Sequence, residues 1–190
     1  MMPSSETGQA ARRASPFSSE DVQAIAARRG WLPSSGAAAE QDVAAGARLE
    51  WMAEAAQLLG AQAADSAALE HLLEHVFQYD ARGALEQPAN QAVMAREGAR
   101  HVLRELAALV LDSAEVNSDR YKEIVSALKE RTGRRGQELF HPVRLALAGR
   151  AGEGEFDRVI LLLDGAARLA WNVSVKSCRQ RILEFCAAVD

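Results

Sequence analysis

Apolar residues recur at intervals of three and four along most of this chain, and nowhere convincingly at intervals of two. Leu69, Leu72, Leu73, Val76 and Phe77 are the clearest case. They fall on one stripe of a 3.6-residue helix and on no single face of a strand. A chain patterned this way is expected to be all-α, with each helix burying one stripe against its neighbours. Ala, Leu, Glu and Arg dominate, which favours helices. Hydrophobic residues make up 48% of the 190, enough to pack one domain or two small ones.

Local signals divide the pattern into segments. Ser18 with Asp21 three residues later predicts a helix start, with Val22, Ile25 and Ala26 inward and Gly30 as the stop. Trp31-Leu32-Pro33 opens a linker through Ser34-Ser35-Gly36. A second helix is expected over about 38–59, burying Leu49, Met52, Ala56 and Leu59. Ser66 is expected to cap a third helix. DARGALEQPAN then breaks the pattern with Gly83 and Pro88. A long fourth helix should turn Val93, Val102, Leu103, Leu106, Val110 and Leu111 inward. Asp112 to Ser118 reads as a hinge, with Ser118 capping a fifth helix that Gly133 ends. Pro142 suits a first helical turn and predicts a sixth helix over about 142–148. Residues 156–163 and about 166–187 supply the last two. The expected organisation is a disordered tail over 1–15, a helical subdomain over 16–117, and a C-terminal helical subdomain over 118–190 packed against it.

No apolar run is long enough to span a bilayer and the N-terminus has no hydrophobic h-region. A cytoplasmic protein without a membrane partner is expected. Cys178 and Cys186 lie eight residues apart, too far for a disulfide within one straight helix, and no Cys-x-x-Cys occurs. The net charge of −4 argues against generic nucleic-acid binding, yet it is unevenly spread. From Arg120 to Arg181 there are 13 basic and seven acidic side chains, a local +6. A localised anion-binding surface produces that asymmetry.

Several motifs have two readings. His71-Leu72-Leu73-Glu74-His75 spells H-x-x-E-H, and histidines four apart on a helix can share zinc with the glutamate as general base. The core stripe of the same helix turns both histidines toward solvent, so no metal site and no other cofactor is assigned; a zinc hydrolase stays a rival reading. Trp31, Trp51 and Trp171 serve better as core mass than as stacking platforms for bases. Gly149-Arg-Ala-Gly152-Glu-Gly154 follows no strand and reads as a helix–helix turn rather than a phosphate cradle. Ser174, Ser177 and Cys178 have no histidine near them in sequence, so no catalytic residue is assigned.

Residues 133–156, GRRGQELFHPVRLALAGRAGEGEF, combine more uncommon features than any other stretch. Leu139, Phe140 and Pro142 suffice to start and staple a helix. Arg144 is different, because a guanidinium near a helix start opposes the helix dipole. It calls for an acid partner or an external anion or base.

Gly136-x-x-Leu139-Phe140-x-Pro142-x-Arg144-x-Ala146-Leu147-x-Gly149 resembles the signature in the C-terminal anticodon-binding region of bacterial glutamyl-tRNA synthetases. There the string is G-K-x-L-F-x-P-x-R-x-A-L-T-G, followed by G-P-E-L and a helix ending Leu-Leu-Gly. Glu155-Phe156 and Leu161-Leu162-Leu163-Asp164-Gly165 stand in the later places. The resemblance is specific over 121–165. It implies an all-α anticodon-binding domain in two helical subdomains, with tRNA as partner, first that for glutamate, and a separate synthetase catalytic chain. It also implies that Arg144 contacts an anticodon base, that His141 faces the anticodon, and that Glu153 and Phe156 line the site. Arg134, Arg135, Arg150 and Lys176 would then neutralise phosphates.

The chain departs from that pattern at Ala148, at Gln137 and at Glu153-Gly154, where Glu153 sets a negative charge in the site. The family's HIGH-like and KMSKS-like motifs are absent, so the chain is not expected to aminoacylate by itself. The competing expectation is a helical protein-interaction module that kept this fold and lost RNA binding. Glu153, the acidic first half and the net charge favour it.

Overall fold

The computed structural model describes residues 15–33, 38–113 and 115–189. Most of the tail expected over 1–15 and the linker at Ser34-Ser35-Gly36 lie outside the described residues. The described residues form ten α-helices and no strand: α1 Ser19–Arg28, α2 Ala38–Gly60, α3 Ser66–Phe77, α4 Ala81–Glu86, α5 Pro88–Met94, α6 Ala99–Leu111, α7 Ser118–Thr132, α8 Gln137–Ala148, α9 Glu155–Ala167 and α10 Cys178–Val189. None is long and apolar enough to cross a membrane.

Local chemistry sets most helix ends. Ser18 and Asp21 close a capping box, and the Asp21 carboxylate accepts the Ser18 N–H at 2.8 Å. The caps of α3 and α7 are the Asx residues one position before the expected serines. Asp65 accepts from Ala68 N at 2.8 Å and Asn117 from Arg120 N at 2.9 Å. Asp80 caps α4, and Pro88 opens α5 at its first turn, so DARGALEQPAN is helical on both sides of one step.

Further expectations about the helices are corrected. The long fourth helix is two, because the chain breaks after Met94 and restarts from Gly98 in a left-handed conformation (φ 85). Pro142 does not open its helix; α8 starts at Gln137 and Pro142 lies inside it, so the Glu138 carbonyl lacks the N–H that a helix interior would supply. The final helix begins only at Cys178, because 168–177 takes an irregular course. In that course Trp171 donates to Ala166 O at 2.9 Å, and Asn172 binds Gly30 O at 3.0 Å. On α2, Leu49 is exposed and Trp51 and Ala55 join Met52, Ala56 and Leu59 inside.

One buried apolar cluster runs from Val22 to Phe185. α2 and α3 pack on α9, α6 packs on α7, α8 and α10, and α4 packs on α10. Segments 16–117 and 118–190 thus share a core. The three tryptophans belong to it. Trp31 stacks on Phe77 with centroids 4.1 Å apart, and Trp51 and Trp171 meet that ring edge-on.

The end of α8 is finished by other elements. The last four carbonyls of a helix have no partner within it. In α8 each finds one. Leu145 O accepts from Gly149 N at 3.0 Å, Ala146 O from the Tyr79 hydroxyl at 2.5 Å, Leu147 O from Arg181 Nη1 at 2.9 Å, and Ala148 O from His75 Nδ1 at 3.1 Å. Arg181 is 0% exposed and also donates to His75 O at 2.8 Å, Val76 O at 2.6 Å and Lys176 O at 3.0 Å.

Replacing Arg181 by Met should cost about 3 kcal/mol or more, because it strands four buried carbonyls. Urea unfolding of the two proteins measures it. His75 gives a pH signature. Burial, then the neighbouring His71, lowers its pKa from 6.5 to about 4. The unfolded chain therefore takes up a proton between pH 6.5 and 4 that the folded chain refuses, so stability should fall as pH drops through that window. His75→Asn, which has no proton to gain, should show a shallower decline in the same unfolding series.

Candidate nucleic-acid interface

Arg144 is the eighth residue of α8, so the helix-dipole conflict expected at a helix start does not arise. It is 8% exposed and its guanidinium is held on three sides. Nε and Nη2 donate in parallel to the two carboxylate oxygens of Asp157, each at 2.8 Å, and Nη1 donates to Gly152 O at 3.0 Å. The Phe140 ring lies 5.1 Å from the guanidinium carbon. Tyr121, reaching across from α7, donates its hydroxyl to Asp157 Oδ1 at 2.8 Å. Burial works against the Arg144 charge and Asp157 outweighs it, which leaves the pKa above its ordinary value. Burial, reinforced by Asp157, pushes Tyr121 well up, so its hydroxyl keeps the proton it donates.

The acid that takes Arg144 is therefore Asp157 in the first turn of α9, where the helix N-terminus favours a carboxylate. Glu153, one turn earlier, is exposed and acts on Arg144 only through its charge. The bidentate geometry leaves one N–H on Nη1 and one on Nη2 unused, out of five.

His141 lies three residues before Arg144 and is half-buried. Its Nδ1 meets Arg96 Nη1 at 3.2 Å. Burial, then Arg96 and Arg144, lower its pKa, which keeps the ring neutral and Nδ1 free to accept. Arg96 comes from the break between α5 and α6. In the same turn the Arg134 guanidinium lies against Gly98. A Cβ there would stand 2.8 Å from Arg134 Nε, and the positive φ independently favours glycine. Arg134 also pairs with Glu138 at 3.2 Å. Lys129 lies 6.0 Å from the Phe140 ring. Arg135 is exposed and makes no ion pair among the described residues.

Arg144, His141, Arg134 and the charge of Glu153 thus meet around the middle of α8, with Arg96, Phe140 and Lys129 added. The other expected residues belong to different neighbourhoods. Arg150, just past the end of α8, contacts His71 Nε2 at 2.9 Å. Phe156 is 5% exposed, sits edge-on to His75 with centroids 5.0 Å apart, and fills the space under Gly152. Lys176 donates to Tyr79 O at 3.0 Å and to Glu184 at 2.5 Å, between the segment that joins α3 to α4 and α10. The histidine pair is also corrected: His71 is exposed, but His75 is largely buried and points at the end of α8 rather than at solvent. Among the described residues no group of three His, Cys, Asp or Glu side chains is set to hold a metal.

Sequence reasoning missed Asp157, Tyr121 and Arg96. Asp157 had a signal, an acid in the first turn after the Gly-rich segment. Arg96 had none, since 45 residues separate it from His141.

Residues 38–163 match a family model described as "Anticodon binding domain". Among curated proteins, "Glutamate--tRNA ligase 2" of Syntrophus aciditrophicus (strain SB) is 38% identical over 72 residues, covering 38% of this chain and 15% of that protein. "Glutamate--tRNA ligase 1" of Halorhodospira halophila (strain DSM 244 / SL1) is 43% identical over 53 residues, covering 28% of this chain and 11% of that protein. The match with these relatives spans less than a fifth of their length. No solved structure gives a significant match.

Proposed function

The chain belongs to the anticodon binding domain family, and on that premise we propose that it binds tRNA, that for glutamate in the first place, through the face around the middle of α8. The match of residues 38–163 carries this reading. The geometry supplies a mechanism for it. Arg144 offers its two unused N–H groups to the edge of an anticodon base, and neutral His141 faces the same loop. Arg135, Arg134 and Arg96 lie where they can neutralise phosphates, the first of them with no acid competing for it. Glu153 disfavours a phosphate at the rim and leaves the place to a base. Phe156 acts from beneath by holding the turn at Gly152. Arg150 and Lys176 contribute less, because they lie in other neighbourhoods, beside His71 and at Tyr79 and Glu184.

The proposed setting is a cytoplasmic glutamate–tRNA ligase whose catalytic region lies outside this chain. Sequence similarity to two such ligases supports it.

Fluorescence anisotropy with labelled RNA hairpins tests the reading. A hairpin carrying a glutamate anticodon should bind in a salt-sensitive manner. Arg144→Ala should reduce the preference over single-base anticodon variants by about tenfold, the order expected for losing a bidentate base contact. Arg135→Ala should weaken every hairpin alike and flatten the salt slope by about 1. Absence of salt-sensitive binding to any tRNA would falsify the proposal.

A further inference from the structure

We infer that Asp157 and Tyr121 are positioning residues for base discrimination, which convert Arg144 from a cation that seeks phosphate into a charge-compensated pair of donors for one base edge. The inference rests on the RNA-binding reading above.

A free guanidinium on a basic surface pairs readily with a phosphate, which carries no sequence information. Arg144 is not free. Asp157 offsets its charge at 2.8 Å through both oxygens and fixes the plane of the group. Offsetting the charge weakens attraction to a phosphate but leaves the remaining N–H groups able to donate to a neutral acceptor. Fixing the plane decides where they point. Gly152 O at 3.0 Å removes one donor on Nη1, so one N–H remains on each Nη. The ligand chemistry that fits is a nucleobase edge with two adjacent acceptors, such as O2 and N3 of cytosine, a base the glutamate anticodons contain. An edge with a donor at either place would face an N–H with an N–H.

Tyr121 sets Asp157 in turn. Its hydroxyl reaches Oδ1, the oxygen that also accepts Arg144 Nε. Tyr121 belongs to α7, Asp157 to α9 and Arg144 to α8, so three helices fix one guanidinium. Tyr121 gives its hydroxyl proton to Asp157, so its part is to hold the carboxylate. Phe140 flanks the guanidinium at 5.1 Å and limits tilting of its plane. None of these contacts is needed to attract RNA; together they serve to choose among bases.

The test uses the full chain and a panel of anticodon hairpins, each with one base replaced, at several salt concentrations. Wild type is measured first. If it binds none of the hairpins, the RNA-binding reading falls and takes this inference with it, before any variant is made. If it binds, Asp157→Asn should keep overall affinity within a few-fold and lose about tenfold in preference at one anticodon position. The same variant should steepen the salt slope by about 1, because the uncompensated Arg144 now engages a phosphate. Tyr121→Phe should shift the preference in the same direction by a smaller factor. A purely structural role would lower the melting temperature and weaken all hairpins equally, with the preference ratio unchanged; that result overturns the inference. Should Asp157→Asn fail to fold, Tyr121→Phe decides alone, and a wild-type ratio in that variant overturns it.

Discussion

The Arg181 guanidinium holds the two halves of the chain together. It enters the interior with no carboxylate bonded to it among the described residues and instead takes four backbone carbonyls, at the ends of α3 and α8 and at Lys176. A helix C-terminus carries a partial negative charge and exposed carbonyl groups, so two such ends aimed at one point make a site for a cation. Burial lowers the pKa of Arg181 to about 10, which still leaves it charged near neutrality. The Tyr79 ring, 4.6 Å from the guanidinium carbon, completes the enclosure. Since α8 also carries Arg144 and His141, the orientation of the candidate RNA face depends on this anchor at the C-terminal end of the same helix.

A buried carboxylate performs the complementary task. Asp164 accepts the Cys178 N–H at 2.7 Å, which caps α10, and the Val116 N–H at 2.6 Å, which fastens the segment between α6 and α7. Backbone donors thus satisfy the buried acid and backbone acceptors the buried base. Neither depends on a long side chain of opposite charge holding its place. Burial beside Asp164 also raises the Cys178 thiol well above its ordinary pKa, so that cysteine is packing material rather than a nucleophile.

Much of the fold was legible in sequence because it is local. Stripes such as Leu69-Leu72-Leu73-Val76-Phe77 and the Ser18–Asp21 box need only neighbours within two turns. The Gly133 stop, with φ 66, is of the same kind. What was not legible depends on distant partners. Pro142 looked like a helix opener, yet the packing of Leu139 and Val143 extends the helix ahead of it. The break at 95–98 makes room for Arg134, which arrives from 36 positions later. At the candidate site, the charge of Arg144 called for an acid partner or an external anion or base; finding Asp157 in that place required knowing where α9 starts. Arg150 and Lys176 were expected at phosphates from their charge; the histidine beside Arg150 and the Tyr79 carbonyl that Lys176 reaches come from far along the chain.

The borrowed ending of α8 has a consequence for how the protein forms. Its final turn is completed by Tyr79 and His75, made long before it, and by Arg181, made 33 residues after the helix ends. Contacts of that separation close late, after loop entropy has been overcome. During synthesis the last turn of α8 should stay frayed until α10 has left the ribosome. The segment that presents Arg144 would therefore reach its working shape only when nearly the whole chain is available to fold.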